Sequence, residues 1–354
     1  MSSISPINFT NKIEHHKKKK DKNKGFIIAQ NTHSLITTAA TVACIPITKL
    51  AKKASLISKD ESLELLNAAN KGLKQTGLAD KNAEIFKIHE VPLEKGTIKN
   101  SVKNLFNLVK AVIKKDEKSI DKISSDFKNL TEKLLTYTKD DQKALGAINN
   151  EFKTALLKGA KDDGAFETPE IFVKALAFPV KNGSNAFCLS KTNKIIIPDK
   201  SLQTIVFHEM GHALNANSGV ITKGLQKCRG LSKQIPQLIL LISLLNKTKT
   251  TDETDKSDSI FKKGSNFIKR NSGKLAFIIS LPIVLEEGIA SLRGQKVAKN
   301  LVKEGSLSKD LYKKVKISNL AGFSTYLIAA LAFGWGVKKA VEVKDKIQEK
   351  NENV

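Results

Sequence analysis

The chain has 354 residues, of which 40% are hydrophobic and 27% charged, so it can bury a sizeable core and is not disordered throughout. Its formal net charge is +25, but only three of its 60 basic residues are arginines and aromatic side chains are scarce. Because nucleic-acid recognition depends on arginine forks and aromatic stacking, this composition indicates a lysine-rich solvated surface, and nucleic acid is not an expected partner. Three widely spaced cysteines without a C-x-x-C pair exclude a disulfide scaffold and a thiolate zinc knuckle, and they fit a reducing compartment.

The chain begins with a basic segment followed by an uncharged one. Residues 1–24 are polar and lysine-rich and are predicted to form a disordered tail. Residues 25–48 contain no charge over 24 positions, which is long enough to span a bilayer. Thr37, Thr38, Thr41 and Thr48 lower the hydropathy of this segment, so it is interpreted either as a membrane contact or as a core helix that ends at Pro46.

Residues 49–165 are predicted to form a helical accessory region. Apolar residues recur at helical spacing in three series, within 63–73, 102–112 and 120–134. No internal repeat of 20–50 residues stands out, and the region carries no motif with recognisable chemistry.

A second domain is predicted over residues 166–345, followed by a polar C-terminal tail over 346–354. Residues 171–180, 185–190 and 194–198 read as short strands, and the last two are joined by a hairpin turn at 191–193. A helix over about 201–217 follows. The predicted fold class is therefore mainly α with a small β-sheet (α+β).

Three uncharged apolar stretches lie further along the chain. Residues 234–246 and 275–285 extend over 13 and 11 positions, which favours buried or re-entrant helices. Residues 317–337 extend over 21 positions between lysine-rich flanks, with Trp335 near one end. This third stretch is the best transmembrane candidate, so the predicted domain carries apolar helices that could be inserted in a membrane.

The motif that carries chemistry is His208-Glu209-Met210-Gly211-His212, an H-E-x-x-H sequence on the predicted helix. Residues i and i+4 share one face of a helix and lie about 6 Å apart along its axis, so both imidazoles can bind one ion. Glu209 lies beside that face, where its carboxylate can accept a proton from water. The alternative is a pair of histidines packed at a helix surface.

A catalytic zinc requires a third protein ligand and one open coordination position. The other four histidines lie in the tail or in unrelated segments: His15, His16, His33 and His89. Glu286 and Glu287 end an apolar run, where an unpaired carboxylate would be costly to bury, so either of them can be the third ligand. The alternative is that both glutamates simply begin a solvated helix.

The H-E-x-x-H motif followed about 75 residues later by Glu287-Gly-Ile-Ala-Ser291 resembles the membrane-associated gluzincin metallopeptidases. The closest resemblance is to the YugP-like neutral zinc metallopeptidases, and a more distant one is to the HtpX-type peptidases. Leu281-Pro282 before the glutamate is similar to the YugP-like pattern, and Asn185-Ala186-Phe187 before a turn is similar to the hairpin that precedes the zinc helix in HtpX-type enzymes. The resemblance covers about 180–340.

The resemblance implies a zincin-like metallopeptidase core with one Zn²⁺ per chain. His208 and His212 would be metal ligands, Glu209 the general base and Glu287 the third ligand, with Glu286 as the alternative. Ser291 stands where the HtpX-type pattern has an aspartate, and such a residue orients a ligand histidine. Arg293 is interpreted either as a contact to the site or, more simply, as a residue of the helix surface.

The implied function is zinc-dependent endopeptidase activity on a peptide or protein substrate. Asn185, Ala186 and Phe187 would bind an extended substrate along an open strand edge. Lysine-rich flanks favour a cell-membrane location with the active site facing the cytoplasm, or a membrane-associated cytoplasmic protein. Two alternatives stay open: a catalytically silent membrane-associated scaffold, and a basic protein that binds lipid or nucleic acid.

Overall fold

The computed structural model describes residues 9–91, 136–156, 170–246 and 259–352. Helices dominate it, with one small mixed sheet, so the expected fold class is confirmed at this coarse level. The strands are β1 (Glu84–Ile88), β2 (Phe187–Leu189) and β3 (Lys194–Pro198). The helices are α1 (Phe9–Ala43), α2 (Ile45–Ala54), α3 (Lys59–Gln75), α4 (Gln142–Leu156), α5 (Glu170–Lys181), α6 (Val206–Asn217), α7 (Val220–Leu245), α8 (Ile260–Arg270), α9 (Ser272–Lys303) and α10 (Lys309–Glu352).

The chain divides into two compact units. The sheet unit comprises Lys49–Lys223 and Gly288–Gly322, and the helical unit comprises Met1–Thr48, Gly224–Glu287 and Phe323–Val354. Helix α9 is uninterrupted where the division falls, between its residues 287 and 288.

The sheet has the strand order β1-β3-β2, with β1 parallel and β2 antiparallel to β3. Asn193 in the β2–β3 turn has a φ of 57°, a left-handed conformation that asparagine tolerates better than most residues. The predicted strands at 185–190 and 194–198 and their hairpin turn are thus confirmed. Among the described strands only β3 pairs with β2, which leaves β2 at the edge.

Helices cover both faces of the sheet, because alternate side chains of β3 point in opposite directions. Ile195 and Ile197 are buried with α3, α6 and the C-terminal part of α9. Ile196 is buried on the other face, with α4 and α5. Helix α6, which carries the H-E-x-x-H motif, packs directly against β2 and β3 and is therefore held by the core of the sheet unit.

Two sequence predictions of secondary structure are wrong. Residues 171–180, predicted as a strand, lie in helix α5, which buries Val173, Ala177 and Val180 at helical spacing against the second core. A short apolar run fits both periodicities, and tertiary packing decides between them. Strand β1 was not predicted, because it lies in the region read as wholly helical and pairs with β3 from far along the chain.

Some predicted segments lie partly or wholly outside the described residues. The helical series at 102–112 and 120–134 falls there, so its helices stay predictions. Helix α1 begins at Phe9, within the segment predicted to be a disordered tail.

Within the described ranges, three helical stretches are long and apolar enough to cross a bilayer, judged by length and composition. They are Gly25–Ala54, Ser272–Lys303 and Lys309–Asn351. Residues 275–285, predicted to form a buried or re-entrant helix, are part of a helix of 32 residues that is itself one of these candidates. A shorter apolar helix covers Gln234–Leu245. The chain therefore has helices compatible with membrane association.

Candidate metal centre

Helix α6 is fixed in place by both apolar and polar contacts of the sheet unit. Its residues Val206, Phe207 and Met210 are fully buried in the core. Just before the helix, the buried Thr204 hydroxyl lies 2.6 Å from that of Ser55 and 2.7 Å from that of Ser318. Because apolar packing holds one side of α6, its histidines project from a helix that cannot easily rotate.

Helices α6 and α9 approach each other so closely that two glycines are required at the crossing. A Cβ atom on Gly211 would lie 1.9 Å from the carbonyl oxygen of Ala290, and one on Gly294 would lie 1.9 Å from that of Phe207. No side chain fits at such distances. The two glycines therefore bring the backbone of α9 next to the histidine face of α6.

The two histidines of the motif point their Nε2 atoms at the same place. His208 Nε2 and His212 Nε2 are 3.0 Å apart, and both side chains are buried. Nδ1 of His208 lies 3.0 Å from the hydroxyl of Ser291 on α9. This contact orients the His208 ring and leaves its Nε2 facing that of His212.

Glu287 completes a group of three ligand atoms. One atom from each of His208, His212 and Glu287 lies within 4.8 Å of the others, and all three residues are buried. Glu287 stands one helical turn before Ser291 on α9, so the helix face that contacts His208 also presents this carboxylate. Of the two glutamates left open by the sequence, Glu287 is the one that joins the histidines.

Glu286 is occupied by other partners. Its Oε2 accepts a hydrogen bond of 2.9 Å from Arg229 of α7, and its Oε1 accepts one of 3.3 Å from Gln226. The second guanidinium nitrogen of Arg229 donates to Oε1 of Glu287. Arg229 therefore bridges two fully buried carboxylates, which would otherwise repel each other. The Glu287 carboxylate has two oxygens, so one can accept from Arg229 while the other binds a metal ion.

Glu209 is buried in the first turn of α6, next to His208 in the chain. Within the described part of the chain, no group donates a hydrogen bond to its carboxylate or forms an ion pair with it. A buried carboxylate without such a partner is costly, which is typical of a group that serves a bound water or substrate.

The donor set fits a zinc ion. Two histidines and a glutamate are the ligands of one common type of catalytic zinc site, which leaves a fourth position open. Two nitrogens that bind zinc tetrahedrally at 2.0–2.1 Å are about 3.3 Å apart, close to the 3.0 Å between the two Nε2 atoms. The buried group could thus hold a metal ion.

Other residues singled out in the sequence have simpler roles. Arg293 donates to the carbonyl oxygen of Leu214 at 3.1 Å and to the hydroxyl of Ser218, so it caps the C-terminal end of α6. His89 contacts Asp199 at 3.0 Å and does not join the metal cluster.

Of the three residues predicted to bind substrate, Asn185 and Ala186 directly precede the edge strand β2 and Phe187 is its first residue. The side chain of Asn185 is exposed, that of Ala186 is buried in the core, and that of Phe187 is half-buried. The backbone N–H of Asn185 already donates to the carbonyl oxygen of Pro179 at 3.0 Å. Any contact with a peptide would therefore be made by the outer backbone edge of β2 rather than by the Ala186 side chain.

Sequence reasoning missed three residues that shape the site: Arg229, Gly211 and Gly294. Arg229 is 57 residues from Glu286, so no local sequence pattern indicates that the two side chains interact. The glycines did carry a signal, since Glu287, Ser291 and Gly294 follow each other at i, i+4 and i+7 on one face of α9. Of these, Ser291 and Gly294 are small, and small residues three positions apart on a helix indicate a close helix crossing.

No protein-family model, curated protein or solved structure matches the chain. The resemblance to gluzincin metallopeptidases consequently rests on the motifs alone, and the function has to be argued from the site.

Proposed function

We propose that the protein is a zinc-dependent metalloendopeptidase that acts at or near a membrane, with a gluzincin-type site in a zincin-like core. The observation that carries this proposal is the buried group formed by His208, His212 and Glu287, with Glu209 in the same helix as the histidines. In this proposal His208, His212 and Glu287 hold the metal. When bound, zinc would supply a Lewis acid that polarises a peptide carbonyl and makes water more acidic.

The chain's own groups account for the remaining steps of peptide hydrolysis. Glu209 accepts the proton of the attacking water and passes it to the nitrogen of the departing amine. Among the residues that the structure describes, its buried carboxylate has no charged partner, so no competing ion pair holds it and it suits both roles. Ser291 holds the His208 ring, and Arg229 fixes the Glu287 carboxylate.

Strand β2 supports the assignment to peptide substrates. An extended peptide can add to an edge strand by backbone hydrogen bonds, which recognise the main chain and leave sequence preference to side-chain pockets. Because α6 packs against β2, a peptide on this edge would lie beside the helix that carries Glu209.

The three candidate membrane-spanning helices support a membrane location. The lysine-rich ends of these helices favour an active site that faces the cytoplasm, since short loops rich in lysine and arginine stay on that side. We therefore expect substrates to be proteins at the cytoplasmic face of the cell membrane.

The proposal is tested with full-length protein purified in detergent, comparing the unaltered chain with Glu209→Gln. Casein cleavage and self-cleavage are measured together with bound zinc. Glutamine keeps the size of the side chain but cannot accept the proton, so hydrolysis should fall by about 10²–10⁴-fold while one zinc stays bound. Phenanthroline should abolish the activity of the unaltered protein, and added zinc should restore it.

The alternatives give different results in the same experiment. If the unaltered protein binds zinc but hydrolyses nothing, and Glu209→Gln behaves identically, the chain is a catalytically silent scaffold. If binding to anionic lipid or nucleic acid is the main activity, it should weaken steeply with salt and be indifferent to Glu209→Gln.

A further inference from the structure

Helix α8 exposes three large apolar side chains and buries two polar ones. Ile260, Phe261 and Phe267 lie on one side of the helix and are 88%, 91% and 60% exposed. Asn266 and Lys269, on the opposite side, are almost completely buried. A surface helix in water turns its large apolar side chains to the core, so the exposure of these three on α8 is not the arrangement that water favours.

The polar side of α8 is held by specific contacts within the helical unit. The Lys269 ammonium donates to Oδ1 of Asp345 on α10 at 2.6 Å. Asn246, at the end of α7, donates to Oδ1 of Asn266 at 2.9 Å and to Ser265 at 2.8 Å. Because a buried lysine needs its partner, these contacts fix the rotation of α8 and force its apolar side outward.

The charge of α8 adds a second constraint. The helix contains four basic residues and no acidic one, and Lys262, Lys263 and Arg270 are exposed. Long basic side chains can extend from a helix lying among lipid headgroups to the phosphate groups, while neighbouring aromatic and aliphatic side chains enter the acyl region.

Helix α8 directly precedes a candidate membrane span in the chain. It ends at Arg270, and α9, the stretch Ser272–Lys303, begins two residues later. Helix α8 itself is too short to cross a bilayer and is not among the three candidate spans.

We propose that α8 is an interfacial helix that lies on an anionic phospholipid surface, with Ile260, Phe261 and Phe267 inserted below the headgroups. The exposed basic residues provide the attraction to anionic lipid, and each such residue near the surface strengthens binding. This inference goes beyond the proposed peptidase activity and holds whether or not the chain hydrolyses peptides.

The test places a nitroxide label on the full-length chain after replacement of its three cysteines by serine. Labels are introduced by Phe261→Cys or Phe267→Cys, and by Leu63→Cys as the matched control, because Leu63 on α3 is an apolar residue with 61% exposure. Each protein is reconstituted into vesicles of phosphatidylglycerol and phosphatidylethanolamine. Collision of the label with oxygen, which concentrates in lipid, is compared with collision with a water-soluble nickel chelate.

At 261 and 267 the label should collide several-fold more often with oxygen than with nickel, and at 63 the ratio should be reversed. Replacing phosphatidylglycerol by phosphatidylcholine should raise nickel collision at 261. Nickel-dominated collision at both α8 positions would overturn the proposal, and an unchanged depth in phosphatidylcholine would overturn its selectivity for anionic lipid. Protection from both reagents, with spin–spin broadening between chains, would instead show that a second copy covers α8. Circular dichroism of each labelled protein verifies that it is folded.

Discussion

Helices α6 and α8 both bury polar side chains, but they do so for different reasons. On α6, His208 and His212 are buried beside fully buried apolar residues, and their ligand atoms converge with that of a glutamate. On α8, Lys269 and Asn266 are buried by ordinary ion pairing and hydrogen bonding, while Phe261 is 91% exposed.

Buried polar side chains on these two helices therefore carry different information. Buried groups of the same kind that face one another, as the two Nε2 atoms do, need an ion or a proton between them and so indicate a site. Buried groups of opposite charge satisfy each other, and the information then lies in what the opposite helix face exposes.

The sharpest test of the α6 side compares the two adjacent glutamates. Glu287→Gln removes the proposed charged ligand and should weaken zinc binding by more than about 100-fold. Loss of a residue that only orients a ligand costs less, about 10–100-fold in affinity. Glu286→Gln, the matched control, leaves the group of His208, His212 and Glu287 intact and should retain zinc. Both are measured by competition with a fluorescent chelator. Equal zinc affinities in the two variants would place the third ligand elsewhere.

In helix α8, Lys269→Met should be strongly destabilising because it removes the ammonium group that donates to the buried Asp345 carboxylate, at a cost of about 3–5 kcal/mol in the free energy of unfolding. The double variant Lys269→Met with Asp345→Leu should recover most of this loss. Denaturant unfolding in detergent measures both. A single variant as stable as the unaltered chain would mean that the pair does not fix the rotation of α8.

The α6–α9 crossing gives the next largest effect. Gly211→Ala places a methyl group against the carbonyl of Ala290 and should destabilise the protein by about 1–3 kcal/mol or more, while separating Glu287 from the histidines. Gly146→Ala is the matched control, since a Cβ there meets nothing within 4 Å, and it should stabilise helix α4 by about 0.5–1 kcal/mol. Thermal unfolding and zinc content distinguish the two; a Gly211→Ala protein with normal zinc content would contradict the role given to this glycine.

The smallest of these effects is expected from Ser291→Ala. Loss of the hydroxyl at 3.0 Å from His208 Nδ1 should lower zinc affinity by about 10–100-fold without changing the fold. Ser232→Ala, at another buried serine but on α7, serves as the control and should leave zinc affinity unchanged. Should both variants bind zinc like the unaltered chain, the Ser291 contact would not orient the ligand.

The sequence was sufficient for the part of the site that local geometry encodes. His208 and His212 share a helix face by their spacing, and Ser291 and Glu287 share another, so one long-range contact between two helices assembles the group. Choosing Glu287 over Glu286 required the structure, because Arg229 and Gln226 hold Glu286 from a helix about 60 residues away.

The errors in predicting the fold also arise where contacts between distant parts of the chain decide the structure. The run 171–180 fits a strand and a helix equally well, and its packing against α4 and β3 decides for the helix. Strand β1 is short and has no regular alternation of buried and exposed residues, so it is its pairing with β3 that identifies it as a strand. The exposure of the large apolar side chains of α8 could not be predicted, since periodicity shows that a helix is amphipathic but not which side faces inward.

The most direct test of the central claim is X-ray absorption at the zinc edge of the purified, zinc-loaded chain. We expect one zinc per chain, with two imidazole nitrogens at about 2.0–2.1 Å, oxygen ligands at about 2.0–2.2 Å and no sulfur. Glu287→Gln should lose this signal, and Glu209→Gln should keep it. Zinc bound through sulfur at about 2.3 Å, or no zinc bound at all by the folded unaltered protein, would contradict the claim.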